Sequence, residues 1–338
     1  MVTSETVPFS KSGGLADVVG ALSEALAGLG HEVRVMMPLY SFIDRNGFRK
    51  TADLTADMLG RKESAEILEK RIGGVVYSAV SHRYFTERKG IYGDDSFSPY
   101  EDNCPRFMLF SKFIAEYIRV LKKTPDIVHC HDWTTGFVPY YLKKSKIRTK
   151  TVFTVHNLAY QGVFSVYDGI MSGDAIPDYA ISGYGEERRI NMMKAALLSS
   201  DAITTVSPTY AEEIKTEEFG CGLDGILQRR EKDLYGIING IDYREWNPGK
   251  DKFFTSHYSS SDLSGKQKLK EEMMDEHGLS LYKEKPLFAI ISRLAEQKGF
   301  TELLLEGEEC ALERILKKKD CAFIVIGTGD ERYAAKLR

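Results

Sequence analysis

VPFSKSGGLADV (Val7–Val18) sets a lysine, a serine and two glycines directly before a run of helical periodicity. From Leu15 onward, apolar side chains recur at Val18, Val19, Leu22, Leu26 and Leu29, the spacing of one helix face, and Gly30 supplies a stop. Glycines let a backbone approach a ligand without Cβ interference, and the N–H groups of a helix start attract anions. Lys11 adds a full positive charge beside Gly13 and Gly14. The pattern fits a phosphate or nucleotide-sugar site. It equally fits a plain strand-to-helix turn with a surface lysine, because neither the G-x-G-x-x-G nor the P-loop spacing is met.

Outward from this stretch, short apolar runs bounded by loop signals occur at HEVRVMMP, GGVVYSAV, DIVHCHDW, KTVFTVHN, DAITTVSP and LYGIINGID. Amphipathic stretches, such as Arg106 to Leu121 and Asn191 to Leu198, lie between several of them. Strands alternating with helices predict parallel pairing with both sheet faces covered, an α/β layered fold. SPTYAEEI carries a helix start, with Ser207 as N-cap and Pro208 at the first helical position. A polar, charge-rich segment runs from about Pro248 to Lys285, and a domain boundary is expected near residue 245. Beyond it, PLFAIISR reads as a strand, Phe300 to Lys318 as a helix, CAFIVIG as a second strand and TGDERYAAKLR as the opening of another helix.

The 338 residues carry a net charge of −3, so no global field would hold nucleic acid or an acidic membrane. Five cysteines, odd in number and without CxxC spacing, favour a reducing compartment over a disulfide framework. No stretch approaches the roughly 18 apolar residues that span a bilayer, and no signal-peptide pattern opens the chain. A cytoplasmic protein is expected, or a plastid one should a transit peptide precede Met1. Oligomeric state is not legible.

Further chemistry-bearing residues cluster at strand ends. Arg293 ends PLFAIISR and Lys298 follows five residues later; a guanidinium and an ammonium converging on a diphosphate would offset its charge during bond cleavage. Two solvated cations flanking a loop is the alternative. Gly327 and Gly329 repeat the strand–glycine–helix arrangement and could lie against the same ligand. His129 and His131 share a strand face, but no third ligand at suitable spacing follows, so a metal site is not expected. Asp132, at the end of one apolar strand, could line a crevice, and His156, Asn157 and Tyr160, at the end of another, are residue types that meet sugar hydroxyls and ring faces; His156 taken singly also suits a structural hydrogen bond.

Taken in order, SETVPFSKSGGLADVVGAL, PDIVHCHDW, FTVHNLAYQG, ITTVSPTYAEEI, FGCGLDGIL, LYGIINGIDYREWNP and ISRLAEQKG resemble the bacterial and plant glycogen/starch synthase family across nearly the whole chain. The resemblance implies a GT-B fold of two Rossmann-like, doubly wound parallel-sheet domains: residues 1–245 on the acceptor side, and residues 246–338 as a linker with a partial nucleotide-sugar domain. It implies transfer of glucose from ADP-glucose to the non-reducing end of an α-1,4-glucan, with retention of configuration and no metal or other cofactor. By position, Lys11, Gly13 and Gly14 match the K-x-G-G donor loop, with Ser12 in place of the commoner threonine. His156 matches the histidine near the transferred glucose. Asp17, Asp132, Asn157, Tyr160, Asn239 and Asp242 match cleft positions. Arg293 and Lys298 match the pair at the diphosphate. Family members begin with a fuller first strand and continue well past Arg338, through an acidic E-x7-E stretch and a T-G-G loop. A fragment with little or no transferase activity is therefore expected. A non-catalytic glucan- or nucleotide-binding module and another GT-B glycosyltransferase are the alternatives.

Overall fold

A computed structural model describes residues 1–94, 98–170, 173, 176–183, 185–304 and 309–338. The chain forms two compact units, Met1–Ile241 and Asp242–Arg338.

In the first unit the strands are β1 (Val33–Pro38), β2 (Arg49–Met58), β3 (Arg61–Ile72), β4 (Val75–Ser81), β5 (Ile127–His131), β6 (Lys150–Val155), β7 (Val163–Ser165), β8 (Ile181–Ser182), β9 (Arg189–Asn191), β10 (Ala202–Thr205) and β11 (Leu234–Gly236). Two four-stranded runs, β2-β3-β4-β1 and β5-β6-β10-β11, meet at the very start of the chain. Val2 bridges Met36 of β1 and Cys130 of β5, parallel to both. Its N–H donates to the His129 carbonyl at 2.7 Å, and the His131 N–H returns to its carbonyl at 3.1 Å. Met1–Thr3 thus hold the central place of the sheet. The chain leaves that centre for β1 on one side and later takes up β5 on the other. Such a reversal opens a crevice at the carboxyl ends of the strands, where open α/β sheets bind ligands.

The pairs β1/β4, β5/β6, β6/β10 and β10/β11 are parallel, as the strand–helix alternation predicts. The sheet is not parallel throughout: β2, β3 and β4 form an antiparallel meander. Leu59 and Gly60 turn the β2–β3 hairpin with φ of 50° and 71°, both left-handed, as a tight two-residue turn requires. Alternation of Leu54, Ala56 and Met58, which are buried, with exposed Asp53, Thr55 and Asp57 fixes the register. A separate three-stranded sheet has the order β7-β9-β8.

The helix Gly14–Gly28 ends as expected, with Gly30 at φ 92°. Helix Asn103–Val120 brings Phe107, Phe110, Phe113 and Ile114, all fully buried, into one core with Val128, Cys130, Phe153, Val155 and Ile203 of the central strands. Because side chains alternate across a strand, the opposite face of those strands carries His129, His131, Thr154 and Thr204. Ser207 caps helix Pro208–Glu213 by accepting the Tyr210 N–H at 2.9 Å.

In the second unit, β12 (Leu287–Ile291) and β13 (Ala322–Ile326) pair in parallel. Leu294, Phe300, Leu304 and Tyr333 form its small core. The single helix expected over Phe300–Lys318 is replaced by two, Phe300–Leu304 and Ala311–Lys318, with residues 305–308 outside the described residues. Cys310 starts the second helix with its N–H donating to the Glu313 carboxylate at 3.0 Å, a local cap that periodicity alone does not announce. Among the described residues, no helix is long and apolar enough to cross a membrane.

Candidate functional site

The segment between the central strand and the first helix is organised by Glu5, a residue the sequence reading passes over. Its buried carboxylate accepts the Ser12 N–H, the Ser12 hydroxyl at 2.9 Å, the Gly13 N–H at 3.2 Å and the Tyr92 hydroxyl at 2.7 Å. Two N–H groups expected to be open to an anion are therefore already engaged by an internal one. The loop's conformation does not wait for ligand. Tyr92 is itself placed from behind: fully buried Arg106 donates to the carbonyls of Tyr84 (3.2 Å) and Ile91 (3.3 Å) and to Asn103 Oδ1 (2.7 Å).

Gly13 and Gly14 have open space where a Cβ would be, with no heavy atom within 4 Å. Gly13 has extended backbone that any residue adopts (φ −159°). Neither packing nor dihedral preference demands glycine at either position, and the bare backbone leaves room for approach from outside the chain. Lys11 stands beside them, its ammonium 2.7 Å from Asp17 Oδ1 with both side chains partly exposed. A surface pair of this kind is worth at most about 1 kcal/mol, so a stronger anion can take the lysine over.

The ends of β5 and β6 carry the second cluster. Asp132 has φ 55°, unusual for a residue with a Cβ, and its carboxylate accepts the His156 N–H at 2.8 Å. Burial pushes the Asp132 carboxyl up to about 7, against the N–H groups of His156 and Asn157 that favour its ionised form. His131 Nδ1 lies 3.0 Å from His156 Nε2, and His129 Nε2 lies 2.6 Å from the Thr154 hydroxyl. Burial holds all three imidazoles neutral: His129 falls to about 3, His156 to about 4, and His131 well below its ordinary value. Asn157 Oδ1 accepts the Ala159 N–H at 3.0 Å, and Tyr160 is exposed. Gly162 (φ 64°) has no room for a Cβ, which would meet the Trp133 ring at 2.5 Å; Trp133 therefore pins the loop that follows His156. Among the described residues, no three His, Cys, Asp or Glu side chains gather as a metal site.

Asn239 is exposed at the end of the first unit. Asp242 opens the second, its carboxylate chelated by its near neighbour Arg244 at 2.6 and 2.9 Å and held down to about 2 by that guanidinium. Arg293 and Lys298 follow β12, both exposed, and among the described residues no hydrogen bond or ion pair engages the side chain of either. Gly327 and Gly329 have a reason inside the fold. A Cβ on Gly327 would sit 2.0 Å from the Ser292 carbonyl oxygen, and one on Gly329 2.3 Å from that of Leu294. Leu294 donates to the Thr328 carbonyl at 2.9 Å and accepts from the Asp330 N–H at 2.9 Å. These glycines clamp the loop that presents Arg293.

The sequence reading thus has Lys11, Gly13, Gly14 and Asp17 on one loop–helix junction, and Asp132, His156 and Asn157 on adjoining strand ends. What it missed are the supporting groups: Glu5, Tyr92 and Arg106, together with His131 in any role other than metal binding. A carboxylate within the small and apolar run VTSETVPF was the available signal for Glu5.

The family described as "Starch synthase catalytic domain" matches residues 1–229. A glycogen synthase of Treponema denticola is 41% identical over 98% of this chain and 69% of its own length, and one of Geotalea daltonii is 38% identical over 100% and 70%. The catalytic domain of starch synthase IV from Arabidopsis thaliana, bound to ADP and acarbose, superposes with a TM-score of 0.83 at 29% identity, covering 99% of this chain and 69% of that one. The fold is of the GT-B class. The chain belongs to the glycogen/starch synthase family of glycosyltransferases.

Proposed function

We propose that the chain's donor is ADP-glucose, its acceptor the non-reducing end of an α-1,4-glucan, and that configuration at the anomeric carbon is retained without a metal ion or other cofactor. The observation that carries this reading is the bare, pre-formed backbone at Gly13 and Gly14 beside Lys11, glycines that the fold itself does not require. The ADP and acarbose held by the related Arabidopsis enzyme support an adenine nucleotide and an oligosaccharide as ligands.

In this reading the C1–O bond to the β-phosphate lengthens and the sugar gains oxocarbenium character. The acceptor 4-hydroxyl forms the new bond on the same face and passes its proton to a phosphate oxygen. Arg293 and Lys298, whose side chains have no partner among the described residues, meet the charge growing on the diphosphate, and Lys11 supplies a further cation. Because Arg293 and Lys298 need not break a protein ion pair to do so, their charge is fully available. His156, held neutral, serves as a hydrogen-bonding group for the sugar. Asp17, Asp132, Asn157, Tyr160, Asn239 and Asp242 contribute polar and aromatic surface for sugar. Five free cysteines support a cytoplasmic setting.

The test is incorporation of labelled glucose from ADP-glucose and from UDP-glucose into glycogen, with α-amylase digestion of the product to read the linkage. Incorporation from ADP-glucose that falls at least a hundredfold in Lys298→Ala supports the reading. Tight ADP binding with no incorporation from either donor would replace it with a binding module.

A further inference from the structure

Two imidazoles meet where β5 and β6 end, His131 Nδ1 and His156 Nε2 being 3.0 Å apart. His131 is wholly buried, and its other nitrogen, Nε2, has no hydrogen-bond partner among the described residues. His129, whose ring centroid lies 4.2 Å from that of His131, gives its own Nε2 to Thr154 and so does not fill the gap. With both rings neutral, one proton is shared across the contact, and it can sit on either side. If His156 Nε2 carries it, His131 must hold its own proton on Nε2, leaving a buried N–H without an acceptor. If His131 Nδ1 carries it, only a bare ring lone pair is left at that spot. Orphaned buried N–H groups are the rarer defect, because they forfeit a strong donor's hydration for nothing. The second arrangement is therefore favoured.

We propose that His131 is a positioning residue: by donating from Nδ1 to His156 Nε2 it locks His156 as the Nδ1–H tautomer. His156 then has one ring donor to offer, Nδ1–H, and no hydrogen bond among the described residues consumes it. The other ring edge is closed to ligand. The backbone of His156 is fixed separately, through its N–H to Asp132, so ring and main chain are each held by a different side chain of the β5 end. This inference rests on the proposed placing of His156 at the sugar.

The experiment uses the full chain labelled with 15N-histidine, observed by long-range 1H–15N correlation at neutral pH, with His156 assigned from His156→Gln. A protonated Nδ1 and a bare Nε2 on His156 in the wild type are expected. His131→Asn, whose amide N–H stands where Nδ1–H stood, should keep that pattern, and His131→Leu should lose it as Nε2 becomes free to carry the proton. Turnover should fall roughly tenfold in His131→Leu, the worth of about one hydrogen bond, with KM for the nucleotide sugar unchanged and most of the rate restored in His131→Asn. A proton on His156 Nε2 in the wild type overturns the inference without recourse to any His131 variant, so a His131→Leu chain that fails to fold does not shelter it. An unchanged His156 tautomer in a folded His131→Leu chain overturns it equally. Should the tautomer be as expected while His156→Ala transfers glucose at the wild-type rate, the functional reading of His156 fails and the inference about His131 stands.

Discussion

The glycines of the two units look alike in sequence and differ in what surrounds them. Gly13–Gly14 and Gly327/Gly329 both punctuate a strand-to-helix connection. In the second unit, an added Cβ would collide with the main chain of the Ser292–Leu294 loop; in the first it would meet nothing. One pair serves the fold, and the other leaves space that the fold does not use. A glycine motif therefore says that backbone must be approached closely, and only the three-dimensional surroundings say by what.

The largest expected effect of a single substitution on stability tests the fold-serving pair. Gly327→Ala forces a Cβ to within 2.0 Å of a carbonyl oxygen, and overpacking of this kind should cost the second unit about 3 kcal/mol. Hydrogen exchange read by mass spectrometry over β12 and β13 measures it, since each unit can open on its own. Protection there indistinguishable from wild type would break the comparison.

Next comes the group that shapes the ligand-serving loop. Glu5→Ala strips the buried acceptor from the Ser12 N–H, Gly13 N–H and Tyr92 hydroxyl. Leaving such donors unsatisfied should cost about 2 kcal/mol, seen as lower protection in the first unit and weaker ADP binding. Unchanged stability and ADP affinity together would mean that the loop holds its shape without Glu5.

How much of this was legible beforehand follows from the range of the contacts involved. Strand ends, the Ser207 cap and the Gly30 stop depend on neighbours within a few residues, and the sequence displays them. The Tyr92–Glu5 bond joins positions 87 apart, and no local pattern encodes it. The β2–β3 hairpin was missed because its alternation is built from small residues such as Ala52 and Ala56, and its turn, Leu59-Gly60, lacks the usual Asn or Asp. Gly327 and Gly329 were legible as glycines, but their reason lies on the neighbouring strand's loop.

A pH series sharpens the contrast between the units. His129, His131 and His156 take up protons in the unfolded chain near their ordinary values but resist them when folded. Between about pH 6.5 and 4 the unfolded state thus binds more protons at these sites, and stability falls as pH drops, by up to about 1.4 kcal/mol per unit for each histidine. Asp132 has the opposite sign: its folded form binds the proton first, near 7, so it offsets one histidine's loss over the same window. The first unit should therefore lose stability on acidification from pH 6.5 to 4, and His156→Gln should reduce the slope by one proton's worth. The second unit, whose shifted groups are exposed carboxylates and cations such as Asp275, Glu313 and Lys317, should change far less. Equal acid sensitivity of the two units, read from urea midpoints of exchange, would contradict this.

The smallest expected effect on the fold is also the most discriminating. Gly14 stands at the start of a helix with no neighbour at its Cβ position, and alanine is the better helix former. Gly14→Ala should therefore leave the first unit as stable as wild type, or more stable by up to about 1 kcal/mol. The added methyl nevertheless projects into space that is open in the folded chain. If that space is where the donor's phosphates approach, calorimetric ADP affinity should weaken about tenfold, equivalent to about 1.4 kcal/mol. Stability and affinity then move in opposite directions, which no general loosening of the loop can produce. A Gly14→Ala chain that binds ADP as tightly as wild type would leave these glycines with neither a structural nor a ligand-facing reason, and the difference between the two glycine pairs would lose its meaning.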